Sequence, residues 1–189
     1  ATLGSNIGTW INTTTSGWVM TDLSASPVMV SLVQVATSLP IVMFALIAGA
    51  LADTVDHRRY LIVTQIWMTL TAGLLAILTA TGQLSAWSLL ALTFALGLGT
   101  AMAMPALSAA IAELVPRNLL AQAIVLNSLS MNVSRSIGPA IGGLLLAQLG
   151  AWAAYGLNMI SFIGMIVMLW YWKRLPVEHA LPPERFFKA

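Results

Sequence analysis

The sequence has 189 residues, of which 59% are hydrophobic and only 7% charged, where a soluble domain carries about 45–50% apolar and about 25% charged residues. So few charges cannot cover a soluble globule, which excludes an ordinary soluble enzyme, a disordered chain and a nucleic-acid binder with a basic face. A net charge of +2 is too small to recruit a polyanion, and the lack of Cys removes disulfides, thiolate metal sites and cysteine nucleophiles. The composition is that of a membrane protein whose first partner is the lipid bilayer.

A bilayer core of about 30 Å takes roughly 20 apolar residues. By that ruler short polar breaks divide the chain into six predicted spans: Leu3–Leu23, Pro27–Ala52, Tyr60–Ala80, Ala86–Ala110, Leu120–Leu149 and Trp152–Trp172. The breaks are short, so successive helices should run antiparallel. The expected fold is all-α and polytopic, with a six-helix transmembrane bundle over residues 1–172 and a cytoplasmic linker over residues 173–189.

The first span is unusually polar, with Asn6, Thr9, Asn12, Thr13, Thr14, Thr15 and Ser16. Lipid cannot satisfy such groups, so they face other helices or a watery cavity. Asn6, Thr9, Thr13 and Ser16 recur at helical spacing and form one stripe. Asp22 ends this span. The second span contains Pro40, and the fourth contains Gly97, Gly99 and Pro105 and closes on Glu113. In the fifth span Ser128, Asn132 and Arg135 share a face. An arginine this deep costs on the order of 2.5–3.5 kcal/mol on insertion scales and therefore needs a cavity or a partner. It is expected to pair with Asp22 or to join a polar cavity that contacts solutes. The alternative is a packed arginine bonded to backbone carbonyls and Asn side chains. Asn6, Asn12, Asn132, Arg135 and Asp22 are thus the candidate cavity residues. Gly138, Pro139, Gly142 and Gly143 follow on the same span, where small residues four apart allow close helix approach and the proline bends the helix.

Lys and Arg counts in short loops set the orientation. Arg58, Arg59, Arg117, Lys173, Arg174, Arg185 and Lys188 lie on one side of a six-span arrangement. That side is read as cytoplasmic, with both ends of the segment there. Trp87, Trp152, Trp170, Tyr171 and Trp172 fit interfacial aromatic belts. The chain starts without Met almost inside a span, and ends soon after a proline- and charge-rich stretch, Pro176 to Pro183. It is expected to be part of a longer polypeptide.

The loop after the second span reads Gly49-Ala50-Leu51-Ala52-Asp53-Thr54-Val55-Asp56-His57-Arg58-Arg59. It resembles the G-x-L-A-D-R-x-G-R-R signature of the major facilitator superfamily. Gly138-Pro139-Ala140-Ile141-Gly142-Gly143 is similar to that family's exporter motif, and Pro105-Ala106-Leu107, Glu113 to Pro116, Asn127 and Arg135 look like the enterobactin-exporter branch, the transmembrane secretion effectors. In the loop signature, Thr54, Asp56 and His57 stand where the family has a basic residue, a glycine and a further basic residue. The resemblance implies the N-terminal half of a twelve-helix transporter, with two inverted three-helix repeats and alternating access. It assigns Gly49, Leu51, Asp53, Arg58 and Arg59 to a cytoplasmic gate, with Glu113 as a local partner for Arg58.

The expected function is secondary active, proton-coupled export of a small organic compound of drug or siderophore type across a bacterial inner membrane. Its partners are then the substrate and a missing C-terminal half or second copy, with no nucleic acid. No enzymatic constellation, metal cluster or cofactor motif is present in the sequence, so no catalytic residue, metal or cofactor is expected. The alternative is a six-span protein acting as a homodimeric transporter or a non-transporting membrane scaffold.

Overall fold

A computed structural model describes residues 2–171, apart from the side chains of Asp53, Glu113 and Arg117. The expectations placed on those three side chains, on Trp172 and on the linker over 173–189 lie outside the described residues. Within them are six α-helices: α1 (Thr2–Leu23), α2 (Pro27–Thr54), α3 (His57–Ala80), α4 (Ala86–Leu114), α5 (Leu120–Leu149) and α6 (Ala151–Tyr171). A short 3-10 turn, Arg117–Leu119, precedes α5.

The helix ends follow from local chemistry. Pro27 occupies the first turn of α2, where its missing N–H costs nothing. Asp56 caps α3 by accepting a hydrogen bond from the Arg59 backbone N–H at 3.1 Å. The residue that replaces a glycine of the loop signature is therefore the start signal of the third helix. Ser85 and Ser88 form a reciprocal capping box at the head of α4. Gly150, at φ 88°, ends α5 by turning the chain into a conformation that other residues rarely adopt. Pro40, Pro105 and Pro139 all lie inside continuous helices.

The main seams are α2 on α4, α3 on α6, α1 on α5, α3 on α4 and α1 on α6. Two apolar clusters fill the interior. The larger gathers Met20, Val33, Leu75, Leu84, Leu89, Ala151 and Tyr155 near the end bearing the α1–α2 and α3–α4 turns, and runs inward to Met68, Leu96 and Phe162. The smaller joins Ala52, Leu61, Ala103, Ala106, Ala110, Met165 and Leu169 towards the opposite end. Outside, Val42, Leu46, Val63, Leu70, Ile77 and Ile160 are exposed, which in water would be a large uncovered apolar surface.

Among the described residues four helices, α2, α3, α4 and α6, are long and apolar enough to cross a membrane. At 22 and 30 residues, α1 and α5 have the length. Their polar residues hold them below that hydropathy, so composition by itself supports four spans and not the expected six.

Candidate functional site

Towards the end that carries the α2–α3 and α4–α5 loops, the six helices line a partly open cavity of about 400 Å³. All six contribute: Asn6, Thr9, Trp10, Asn12 and Thr13 from α1, Gln34, Thr37 and Ser38 from α2, Gln65 and Met68 from α3, Thr93 and Thr100 from α4, Asn127 and Met131 from α5, and Asn158, Phe162 and Met165 from α6. The lining is apolar in area but studded with amides and hydroxyls, and among the described residues no lining side chain carries a charge. Its far end is closed by the larger apolar cluster through Met68, Leu96 and Phe162.

Three of the four residues of the first-helix stripe reach the cavity. Asn6, Thr9 and Thr13 line the cavity, and Asn12 joins them. Ser16, one turn further, leaves the cavity and is bonded to the Tyr155 hydroxyl at 3.2 Å, with both residues buried.

The fifth helix is turned differently from the expectation. Asn132 is exposed and donates from Nδ2 to the Ser128 carbonyl at 2.9 Å, and Arg135 is exposed and absent from the lining. The cause is the seam with α1. A Cβ on Gly138 would lie 2.5 Å from Cβ of Trp10, and one on Gly142 would lie 3.3 Å from Cα of Ile11. That backbone approach fixes the rotation of α5, so Asn127 and Met131 enter the cavity and the Ser128–Asn132–Arg135 face is left outside. Asn127, Met131, Gly138 and Gly142 are spaced by four, seven and four residues, so the two glycines already indicated which face turns inward.

Arg135 does not reach Asp22. Its guanidinium carbon sits 5.5 Å from the centre of the Trp10 ring, while Asp22 is exposed twelve residues further along α1, about 18 Å away at 1.5 Å per residue. A cation over an indole face gains about 0.5–1 kcal/mol when exposed and about 2 kcal/mol or more when desolvated. Trp10 itself lines the cavity, so Arg135 stands behind the wall rather than in it. Asp22 lies far from the lining, at the closed end of the bundle.

At the loop signature, Arg58 donates from Nε to the Leu169 carbonyl at 2.8 Å and from Nη2 to the Trp170 carbonyl at 2.7 Å. These are orphan carbonyls in the last turn of α6, where a positive charge also complements the helix dipole. Arg58 thereby ties α3 to α6, because the first turn of α3 lies beside the last turn of α6, and its pairing with Glu113 lies outside the described residues. Arg59 is exposed next to it. Gly49 and Gly143 both have open space where a side chain would go, whereas Gly138 and Gly142 do not. Leu51 is exposed at the end of α2. Pro139 is half-buried inside α5.

Sequence reasoning missed Gln34, Gln65, Thr93 and Asn158, polar residues in mostly apolar helices. Gln65, Thr93 and Asn158 are at most 5% exposed. A buried amide inside an apolar helix was the available signal, since such groups need a partner.

Comparison with known proteins gives a consistent relationship. The family described as transmembrane secretion effector matches the chain over residues 1–189. The chain is 26% identical over 174 residues to the MFS-type transporter YfiS of Bacillus subtilis, covering 90% of this chain and 40% of that protein. It is 30% identical over 142 residues to the staphyloferrin A transporter of Staphylococcus aureus, covering 75% of this chain and 36% of that one. With the multidrug efflux pump Tap of Mycolicibacterium fortuitum it shares 27% over 195 residues, covering 98% of this chain and 46% of the pump. The chain therefore spans less than half the length of these relatives.

Proposed function

We propose, because this chain belongs to the transmembrane secretion effector family of major facilitator transporters, that it forms the N-terminal half of a secondary exporter of small organic compounds. The family and the relatives are transporters rather than enzymes, and the chain is a multi-pass membrane protein. The observation that carries the reading is the cavity of about 400 Å³ drawn from all six helices and lined by uncharged polar groups among apolar ones, the make-up of a small-molecule site.

All six helices span the bacterial inner membrane in this reading. The polar residues of α1 are turned to the cavity, and those of α5 to the cavity or to the other half. Gln122, Ser128, Asn132, Arg135 and Ser136 form an exposed polar face on α5 that lipid would penalise and a second half would cover. The seams support two inverted three-helix repeats. Exchanging α1–α3 with α4–α6 turns α1–α5 into α4–α2 and α1–α6 into α4–α3, and leaves α3–α6 unchanged.

The loop-bearing end is the cytoplasmic one, so this conformation faces inward. Asp53, Arg59 and Glu113 act at the gate there. Arg58 holds the end of α6, from which the chain runs on to the second half. Opening and closing is a two-state equilibrium that such interfacial charges bias. Export is driven by exchange with protons, whose carrier lies outside this cavity. In proteoliposomes holding the intact transporter, a panel of amphiphilic compounds and siderophores should include at least one whose flux follows an imposed pH gradient. Flux of none of them under a pH gradient or a voltage would refute the transporter reading.

A further inference from the structure

Six of the cavity's hydroxyl groups are already committed as donors. Thr9, Thr13, Thr37, Ser38, Thr100 and Ser108 all line it, and each donates its hydroxyl proton to the carbonyl four residues back, at 2.8–3.1 Å. A hydroxyl has one proton and two lone pairs. With the proton spent inside the helix, six side chains on α1, α2 and α4 can offer the cavity only acceptor oxygens. Deeper in, Asn12 Oδ1, Gln65 Oε1 and Thr93 Oγ1 are buried without a hydrogen-bond partner, on side chains no more than 6% exposed.

Charge limits the occupant from both sides. No charged side chain of either sign lines the cavity among the described residues, so an ion entering this half loses hydration without gaining a direct ion pair. Arg135, stacked at 5.5 Å on the cavity-lining Trp10, places a permanent positive charge behind one wall and works against a cation. The remaining walls are soft and apolar, built from Met68, Met104, Met131, Met165 and Phe162, which adapt to varied shapes.

We propose that this half of the cavity recognises uncharged amphiphiles that present hydrogen-bond donors, hydroxyl or N–H, to the α1, α2 and α4 walls and an apolar body to the methionine side. The inference rests on the transporter reading above and sharpens its substrate class. Each donor on the ligand meets an oxygen that has no competing use for its lone pairs. A ligand with acceptors only is left with the amides and the few uncommitted hydroxyls such as that of Thr93.

The test uses the intact transporter, purified in detergent, and four dyes on one scaffold. These are phenylnaphthylamine, its N-methyl derivative lacking the N–H, anilinonaphthalene sulfonate, which keeps the N–H and adds an anion, and an analogue carrying a trimethylammonium group. Saturable binding is read from dye fluorescence against empty-micelle blanks. The expected order has phenylnaphthylamine tightest, by about fivefold over the N-methyl derivative, the worth of one hydrogen bond of about 1 kcal/mol. A Thr37→Val/Thr100→Val double variant should remove that advantage, so that phenylnaphthylamine and its N-methyl derivative bind alike. Equal or tighter binding of the sulfonate or the ammonium dye would overturn the uncharged class. Equal binding of the N-methyl derivative to the native protein would overturn the acceptor wall. Saturable binding of none of the four would overturn both this inference and the cavity reading beneath it, while flux of other compounds in proteoliposomes would still uphold transport.

Discussion

The α1–α5 and α3–α6 seams hold the same bundle by opposite means. Between α1 and α5 the backbones meet: Gly138 and Gly142 leave room for Trp10 and Ile11, and the Ser134 hydroxyl approaches the Leu3 carbonyl at 3.4 Å. Between α3 and α6 the side chains meet, with Leu61, Met68, Ala72, Leu75, Tyr155, Phe162, Met165 and Leu169 all buried. Lipid tails are as apolar as leucine, so a helix with polar residues gains its hold from close van der Waals approach instead. The polar seam therefore cannot tolerate an added methyl group, and the apolar seam cannot tolerate a lost one.

Four substitutions sharpen that contrast, each read as thermal unfolding by tryptophan fluorescence. Gly138→Leu should be the most damaging: even its Cβ would sit 2.5 Å from Cβ of Trp10, so the helices must separate and little folded protein should elute as a single species. Phe162→Ala, on the other seam, empties a site that is 1% exposed and should cost about 3–5 kcal/mol. Arg58→Gln removes two bonds to the end of α6 and should cost about 1–2 kcal/mol, because that cap is partly solvated. Gly143→Ala meets open space inside a helix and should stabilise by up to about 1 kcal/mol. A large loss there would show that the glycine motif acts as a whole, and the division between packed and free glycines would fail.

The helices were readable because polar breaks and bilayer thickness constrain them tightly. α1, α2, α4 and α5 start within one residue of the expected positions, and α3 begins early only because Asp56 is a cap rather than a loop residue. The cavity was readable on α1, where one helix carries a dense polar stripe. It was misread on α5, where Asn132 and Arg135 form a convincing polar face that the glycine seam turns away. Rotation about a helix axis is fixed by the neighbour, and only the glycine spacing recorded it. Gln65 and Asn158 were invisible for the opposite reason: each is the one amide in a mostly apolar helix, too sparse a signal to mark a face.

The central claim is that the cavity-lining polar side chains of α1 and α4 face a watery cavity rather than lipid. Because the chain has no native Cys, single cysteines can be placed at Asn6 and Thr100 in the cavity and at Val42 and Leu70 on the exposed apolar surface. In membranes open on both sides, a charged thiol reagent should label the Asn6→Cys and Thr100→Cys variants and leave Val42→Cys and Leu70→Cys unmodified. Labelling of the second pair with protection of the first would contradict the account.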